Sequence, residues 1–123
     1  MKGVKSKLFA SYWKTFFYTA MCYPDKITTS VADSQKVKHY KAYYDSIQYI
    51  LPCVFCRDFT RDVLMKEFPL DFSGRIPLMK SIWVWKDRVN KKLGSRKSPK
   101  FETILKRYDS CRATCDKSVG KCI

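Results

Sequence analysis

Tyr40-Lys41-Ala42-Tyr43-Tyr44-Asp45-Ser46-Ile47-Gln48-Tyr49-Ile50-Leu51-Pro52-Cys53-Val54-Phe55-Cys56 is the stretch on which the fold turns. Tyr40, Tyr43, Tyr44, Ile47, Ile50 and Leu51 recur at the three- and four-residue spacing of one helix face. Pro52 stops that helix, because it has no N–H to donate and its ring clashes with the preceding turn. Past it, Phe55, Phe59 and Val63 keep a helical spacing, which predicts a new helix opening near Cys53.

Outward from this stretch the helical period continues in both directions. Leu8, Phe9, Tyr12, Trp13, Phe16, Phe17 and Ala20 form one wide apolar face, with Pro24 expected to end that helix. Pro69 and Gly74 mark the next break. Leu78, Ile82, Trp85, Val89 and Leu93 then make a stripe, and Gly94 stands where a C-cap glycine belongs. Ser98 and Pro99 are expected to open a last helix carrying Phe101, Ile104, Leu105 and Tyr108 on one side. No alternation of period two appears. The fold class is therefore all-α: a four-helix bundle with a short fifth helix and a flexible cysteine-bearing tail. Residues 1–110 are expected to form the helical domain and 111–123 the tail.

The chain has 123 residues, enough for one domain with a modest core, which a cofactor or second subunit would stabilise further. Its formal charge of +14 favours acidic partners. The densest basic run, Lys86 to Lys100, directly follows an aromatic segment, and a phosphate-bearing cofactor suits it at least as well as a nucleic acid does. There is no stretch of 18 apolar residues to span a membrane. Lys14 interrupts the N-terminal apolar run, and Trp13 and Tyr18 make it bulky, so no secretory signal is expected.

Six cysteines in so short a chain imply a disulfide scaffold, a metal site or redox chemistry. Cys53 and Cys56 stand one helical turn apart at a helix start, where the N-terminus favours thiolate, the species that attacks in exchange. A thioredoxin-like frame would place the pair in a βαβ unit, but both flanks here are helical. Zinc would need Cys53 and Cys56 joined by Cys111 and Cys115, more than fifty residues away and without glycine-rich knuckles. No metal is expected. His39, the single histidine, lies beside Lys38 and reads as a solvated residue, and Cys22 reads as a buried, inert thiol.

Three elements, in order and at the right spacing, resemble the Erv/ALR flavin-linked sulfhydryl oxidases over about residues 9–108. They are Trp13 followed by Tyr23-Pro24-Asp25, then Pro52-Cys53-Val54-Phe55-Cys56, then Lys86-Asp87-Arg88-Val89-Asn90-Lys91-Lys92-Leu93-Gly94. The last matches the family signature His-Asn-x-Val-Asn-x-x-Leu-Gly with Lys86-Asp87 in place of His-Asn. Phe17 stands where the family has a histidine four residues after the tryptophan. The cysteine usually found shortly after Leu-Gly is absent, so the family's structural disulfide to the C-terminal helix cannot form in its usual place. The chain looks like the divergent members encoded by large DNA viruses.

The resemblance implies FAD held in the mouth of the bundle. It assigns Cys53 to exchange with substrate and Cys56 to the flavin-proximal position, with electrons passing to FAD and then to oxygen to give hydrogen peroxide. Trp13, Tyr23, Val89, Asn90, Leu93 and Gly94 match cofactor-lining positions, and Phe17, Lys86 and Asp87 occupy such positions with changed chemistry. Without the motif, Trp13, Phe17, Val89 and Leu93 would read simply as core. Protein dithiols, including a thioredoxin-like carrier, are the implied partners, and nucleic acid is not. A homodimer through the first two helices is expected, since Phe9, Tyr12, Phe16 and Tyr43 exceed what one small bundle can bury. Two of Cys111, Cys115 and Cys122 are expected to form a shuttle pair; the alternative is a staple to Cys22. The implied location is a virion or infected-cell cytoplasm, or otherwise the mitochondrial intermembrane space. The competing readings are a flavin-free structural or capsid-associated protein that kept the fold, and a basic nucleic-acid or zinc module.

Overall fold

A computed structural model describes residues 4–94 and 97–109, with side chains from Ser11 onward. Among these residues every regular element is helical. Helix α1 (Val4–Ala20) buries Trp13, Phe16, Phe17 and Ala20, the face its spacing predicts. It ends before Pro24: the Met21 amide donates to the Tyr18 carbonyl (3.1 Å) and the Tyr23 amide to the Ala20 carbonyl (3.1 Å), tightening the chain into turns.

Helix α2 (Val31–Ile50) starts at a side-chain cap. Ser30 Oγ accepts the Asp33 amide at 3.1 Å, while Asp33 Oδ2 accepts both the amide and the hydroxyl of Thr28 at 2.8 Å. Its buried residues are Tyr44, Ile47 and Gln48, followed by Leu51 just past the end. Ile50, expected on that stripe, is instead 61% exposed.

Helix α3 is composite: an α-segment Val54–Phe59, a π-helical turn Thr60–Leu64 and a last α-turn Met65–Glu67. Its buried face is Cys56, Thr60 and Leu64. The expected stripe of Phe55, Phe59 and Val63 is thus displaced by one residue, with Phe55 60% exposed and Phe59 and Val63 half-buried.

Helix α4 (Arg75–Leu93) is the central rod. Leu78, Met79, Ile82, Trp85 and Val89 are all buried and Leu93 is half-buried, as the stripe predicts. Gly74 precedes it because a Cβ there would collide with the Asp25 carbonyl oxygen. That close approach lets the Arg75 amide donate to the Pro24 carbonyl at 2.9 Å. At the other end Gly94 adopts φ +66°, the left-handed cap that glycine takes without a Cβ penalty.

Helix α5 (Phe101–Asp109) buries Ile104 and Tyr108. It begins later than Ser98 and Pro99 suggest, with the Lys100 carbonyl accepting the Thr103 and Ile104 amides at 3.1 and 3.2 Å. Ser98 Oγ is engaged by Asn90 Nδ2 (3.0 Å), and the Pro99 carbonyl by Trp83 Nε1 (2.8 Å), so both serve α4.

Helices α1 and α5 pack on α4, and α3 packs on α2, around one hydrophobic cluster running from Trp13 to Tyr108. Its large polar-tipped side chains are satisfied from inside. Tyr44 Oη donates to the Phe16 carbonyl (2.7 Å), Trp85 Nε1 to that of Phe68 (2.6 Å) and Tyr23 Oη to that of Phe72 (2.6 Å). The helical-bundle class is as expected from the sequence. The tail 111–123, including Cys111, Cys115 and Cys122, lies outside the described residues.

Candidate thiol and cofactor site

Pro52 ends α2, and the extended backbone of Cys53 makes it the N-cap of α3. Cys53 Sγ accepts the Cys56 amide at 3.4 Å, a contact that negative charge on the sulfur strengthens. Cys53 is half-buried and Cys56 is buried to 3% exposure. Arg57 Nη1 donates to the Leu51 carbonyl at 2.5 Å, tying the start of α3 to the end of α2. Behind the pair, Thr60 Oγ1 donates to the Cys56 carbonyl at 2.7 Å. The π turn begins at this residue, and such turns recur at functional sites. Sequence reading passed over Thr60; the signal was a polar residue four places after Cys56 in an otherwise apolar run. Around Cys53 the side chains of Tyr49, Ile50, Val54 and Phe55 are all exposed.

Of the expected cofactor-lining residues, Trp13, Phe17 and Val89 lie in the same buried cluster as Cys56. The Trp13 ring meets Phe16 edge-on (5.6 Å), and the Phe17 ring stacks on Tyr108 (5.0 Å). On α4, Lys86 is half-buried beside Arg107 of α5. Burial, with Arg107 adding like-charge repulsion, holds its ammonium below the usual lysine value. Among the described residues no carboxylate pairs with Lys86. Asp87 faces Lys91 (3.1 Å) and Ser98, and its carboxyl sits below the usual range because these hydrogen bonds and nearby cations outweigh its desolvation. Asn90 also holds Ser98. Leu93 and Gly94 close the helix beside them.

Tyr23 is placed differently. It is fully buried against Tyr40 and Phe72, near the first half of α2. Tyr40 and Leu51 are separated by roughly 16 Å of helix axis, so Tyr23 braces the end of the bundle opposite the cysteines. Cys22 also departs from expectation: it is exposed and disulfide-bonded, not a buried free thiol. It follows the last turn of α1, where its side chain points out of the core. His39 is exposed, as its neighbours suggest. No described helix is long and apolar enough to cross a membrane.

Fold and site together define a helical-bundle protein, with its Cys-x-x-Cys pair opening a helix against an aromatic core. The chain belongs to the Erv1 / Alr family, whose pattern it matches over residues 10–109. No curated protein matches it. Among solved structures it is similar to the FAD-binding domain of Erv1 from Saccharomyces cerevisiae, at 23% identity and a TM-score of 0.69, covering 89% of this chain and 96% of that one. The yeast Erv1 core gives the same identity, score and coverage of this chain, with 86% of its own length matched.

The residues present fit a flavin dinucleotide in two respects. Lys86 feels the like charge of Arg107 and has no carboxylate on it among the described residues, an arrangement that a diphosphate neutralises. Phe17 and Tyr108, the latter next to Arg107 in sequence, add a stacked aromatic pair, and Trp13 lies in the same buried cluster.

Proposed function

We propose that the chain is an FAD-dependent thiol oxidase that forms disulfides in protein substrates, with O2 as final acceptor and H2O2 as product. The observation that carries this reading is the pairing of a half-buried Cys53, capping a helix, with a Cys56 buried in the aromatic cluster. A substrate thiolate attacks Cys53 Sγ of the oxidised pair, and Cys56 leaves as thiolate. A second substrate thiol attacks the mixed disulfide, releasing Cys53 and the oxidised substrate. The four exposed apolar side chains beside Cys53 suit a protein partner better than a small thiol. Bound FAD supplies the two-electron acceptor for the reduced pair and the route to oxygen. Lys86 and Arg107 would hold its diphosphate, with Trp13, Phe17, Val89 and Asn90 lining the site.

The test is the purified chain itself, which should be yellow. Cys53→Ser and Cys56→Ser should each abolish oxidation of dithiothreitol while keeping the flavin absorbance. Retained turnover in the Cys56 variant overturns the assignment. One observation favours a second reading, a flavin-free structural protein: the Phe17 ring face is already taken by Tyr108. A colourless, fully folded chain that takes up no added FAD would select it.

The same reading includes a homodimer through α1 and α2 with an isologous two-fold arrangement. Phe16 cannot serve that interface, since it is buried within its own chain, and the side chain of Phe9 lies outside the described residues. Of the four residues expected there, half-buried Tyr12 and Tyr43 remain. A shuttle pair drawn from Cys111, Cys115 and Cys122 belongs to the same proposal. Truncation after Ser110 should then spare dithiothreitol oxidation and impair oxidation of a folded protein dithiol.

A further inference from the structure

The backbone of Cys56 is held on both sides. Its amide donates to Cys53 Sγ at 3.4 Å, and its carbonyl accepts Thr60 Oγ1 at 2.7 Å together with the Thr60 amide. Thr60 is buried on the same helix face as Cys56 and Leu64. A valine would fill that place with the same shape and no polar atom, so packing alone does not call for a hydroxyl. The backbone around it gives the reason. At this point α3 passes from α to π geometry, and the Met65 amide reaches back five residues to the Thr60 carbonyl. The Thr60 amide is shared between the carbonyls of Cys56 and Arg57. A divided donor holds each acceptor less firmly, and the hydroxyl makes up the deficit at Cys56.

We propose that Thr60 is a positioning residue for the thiol pair: it anchors the backbone of Cys56 so that the amide of that residue stays aimed at Cys53 Sγ. The contact strengthens as negative charge builds on the sulfur, so it stabilises the reduced pair, in which Cys53 ionises, more than the disulfide. A pair whose dithiol is stabilised is the stronger oxidant as a disulfide. Resting on the oxidase reading above, Thr60 would therefore raise the drive to take electrons from substrate without touching substrate or cofactor itself.

The experiment equilibrates the purified full chain with glutathione buffers under anaerobic conditions, then quenches by alkylation and weighs the Cys53–Cys56 peptide. In this exchange two glutathione thiols reduce the disulfide to the dithiol and leave as glutathione disulfide. Thr60→Val should shift the equilibrium about threefold toward the protein disulfide. Thr60→Ala, which also lacks the hydroxyl, should move it the same way, and Thr60→Ser should restore it. Alkylation of reduced Cys53 followed against pH should move to higher pH in the Val and Ala variants only. Ser81→Ala is the control for stability, since Ser81 Oγ likewise donates to a carbonyl of its own helix, that of Leu78 (2.8 Å), on α4. An unshifted equilibrium in the variants without the hydroxyl, or an equal shift in Ser81→Ala, overturns the proposal. A colourless chain that shows the Thr60 shift would sink only the oxidase reading; a yellow chain without it would sink only this one.

Discussion

Thr60 shows how far a single hydroxyl reaches in this molecule. It is buried, it donates to the Cys56 carbonyl, and the helix widens into a π turn from that residue. Thr60→Val keeps the shape and removes the donor, so it should destabilise the fold by about 1 kcal/mol in denaturant unfolding. A free energy within error of the unaltered chain would show the bond to be dispensable. Lys86 makes a pH-dependent prediction. Its folded-state value lies below the usual 10.5, so between the two the unfolded chain binds the proton and the folded chain does not. Stability attributable to Lys86 therefore rises with pH across that window. Lys86→Met should flatten the rise when melting temperature is followed from neutrality up to about pH 10.5. The sequence identified Lys86 as a changed position in a known signature. It could not show that Lys86 is half-buried against Arg107, because that depends on where α5 docks, twenty-one residues later in the chain.

At the scale of elements, apolar spacing located every helix but misjudged some faces and ends. The stripe on α4 was legible because five large apolar residues mark it and glycine caps it. On α3 the bulk of Phe55, Phe59 and Val63 pointed to one face, whereas the Cys53 cap sets the helix phase so that Cys56, Thr60 and Leu64 turn inward. Size misled there, since the buried positions hold smaller or more polar residues. The start of α5 was read too early because Ser98 and Pro99 look like a local cap, while in the fold they accept hydrogen bonds from Asn90 and Trp83 on α4. Gly94 offers the cleanest test of an end. At φ +66°, Gly94→Ala should cost about 1 kcal/mol, read as a lower melting temperature with helix content unchanged.

For the whole molecule, the bundle class followed from the apolar stripes and the absence of alternation, and the cysteine pair from its place after Pro52. The sequence read Cys22 as an inert thiol and offered its disulfide only as the alternative to a tail shuttle, because sequence alone does not show which cysteines meet in space. The core concentrates its volume in aromatics, and Trp85 at its centre is buried with its indole N–H satisfied by the Phe68 carbonyl. Trp85→Ala should cost about 3–5 kcal/mol and leave the chain largely unfolded at moderate denaturant, as circular dichroism would show. If the proposed dimer forms, sedimentation at micromolar concentration should give twice the chain mass, and monomeric behaviour would exclude it. Two of the phenols in this core have an optical consequence. Tyr23 and Tyr44 spend their protons on main-chain carbonyls in the interior, and burial pushes Tyr23 to about 12 and Tyr44 higher still. An alkaline titration followed by phenolate absorbance would read this. These two should remain dark until the chain opens, and their appearance, abrupt and together, would mark alkaline unfolding without any added probe.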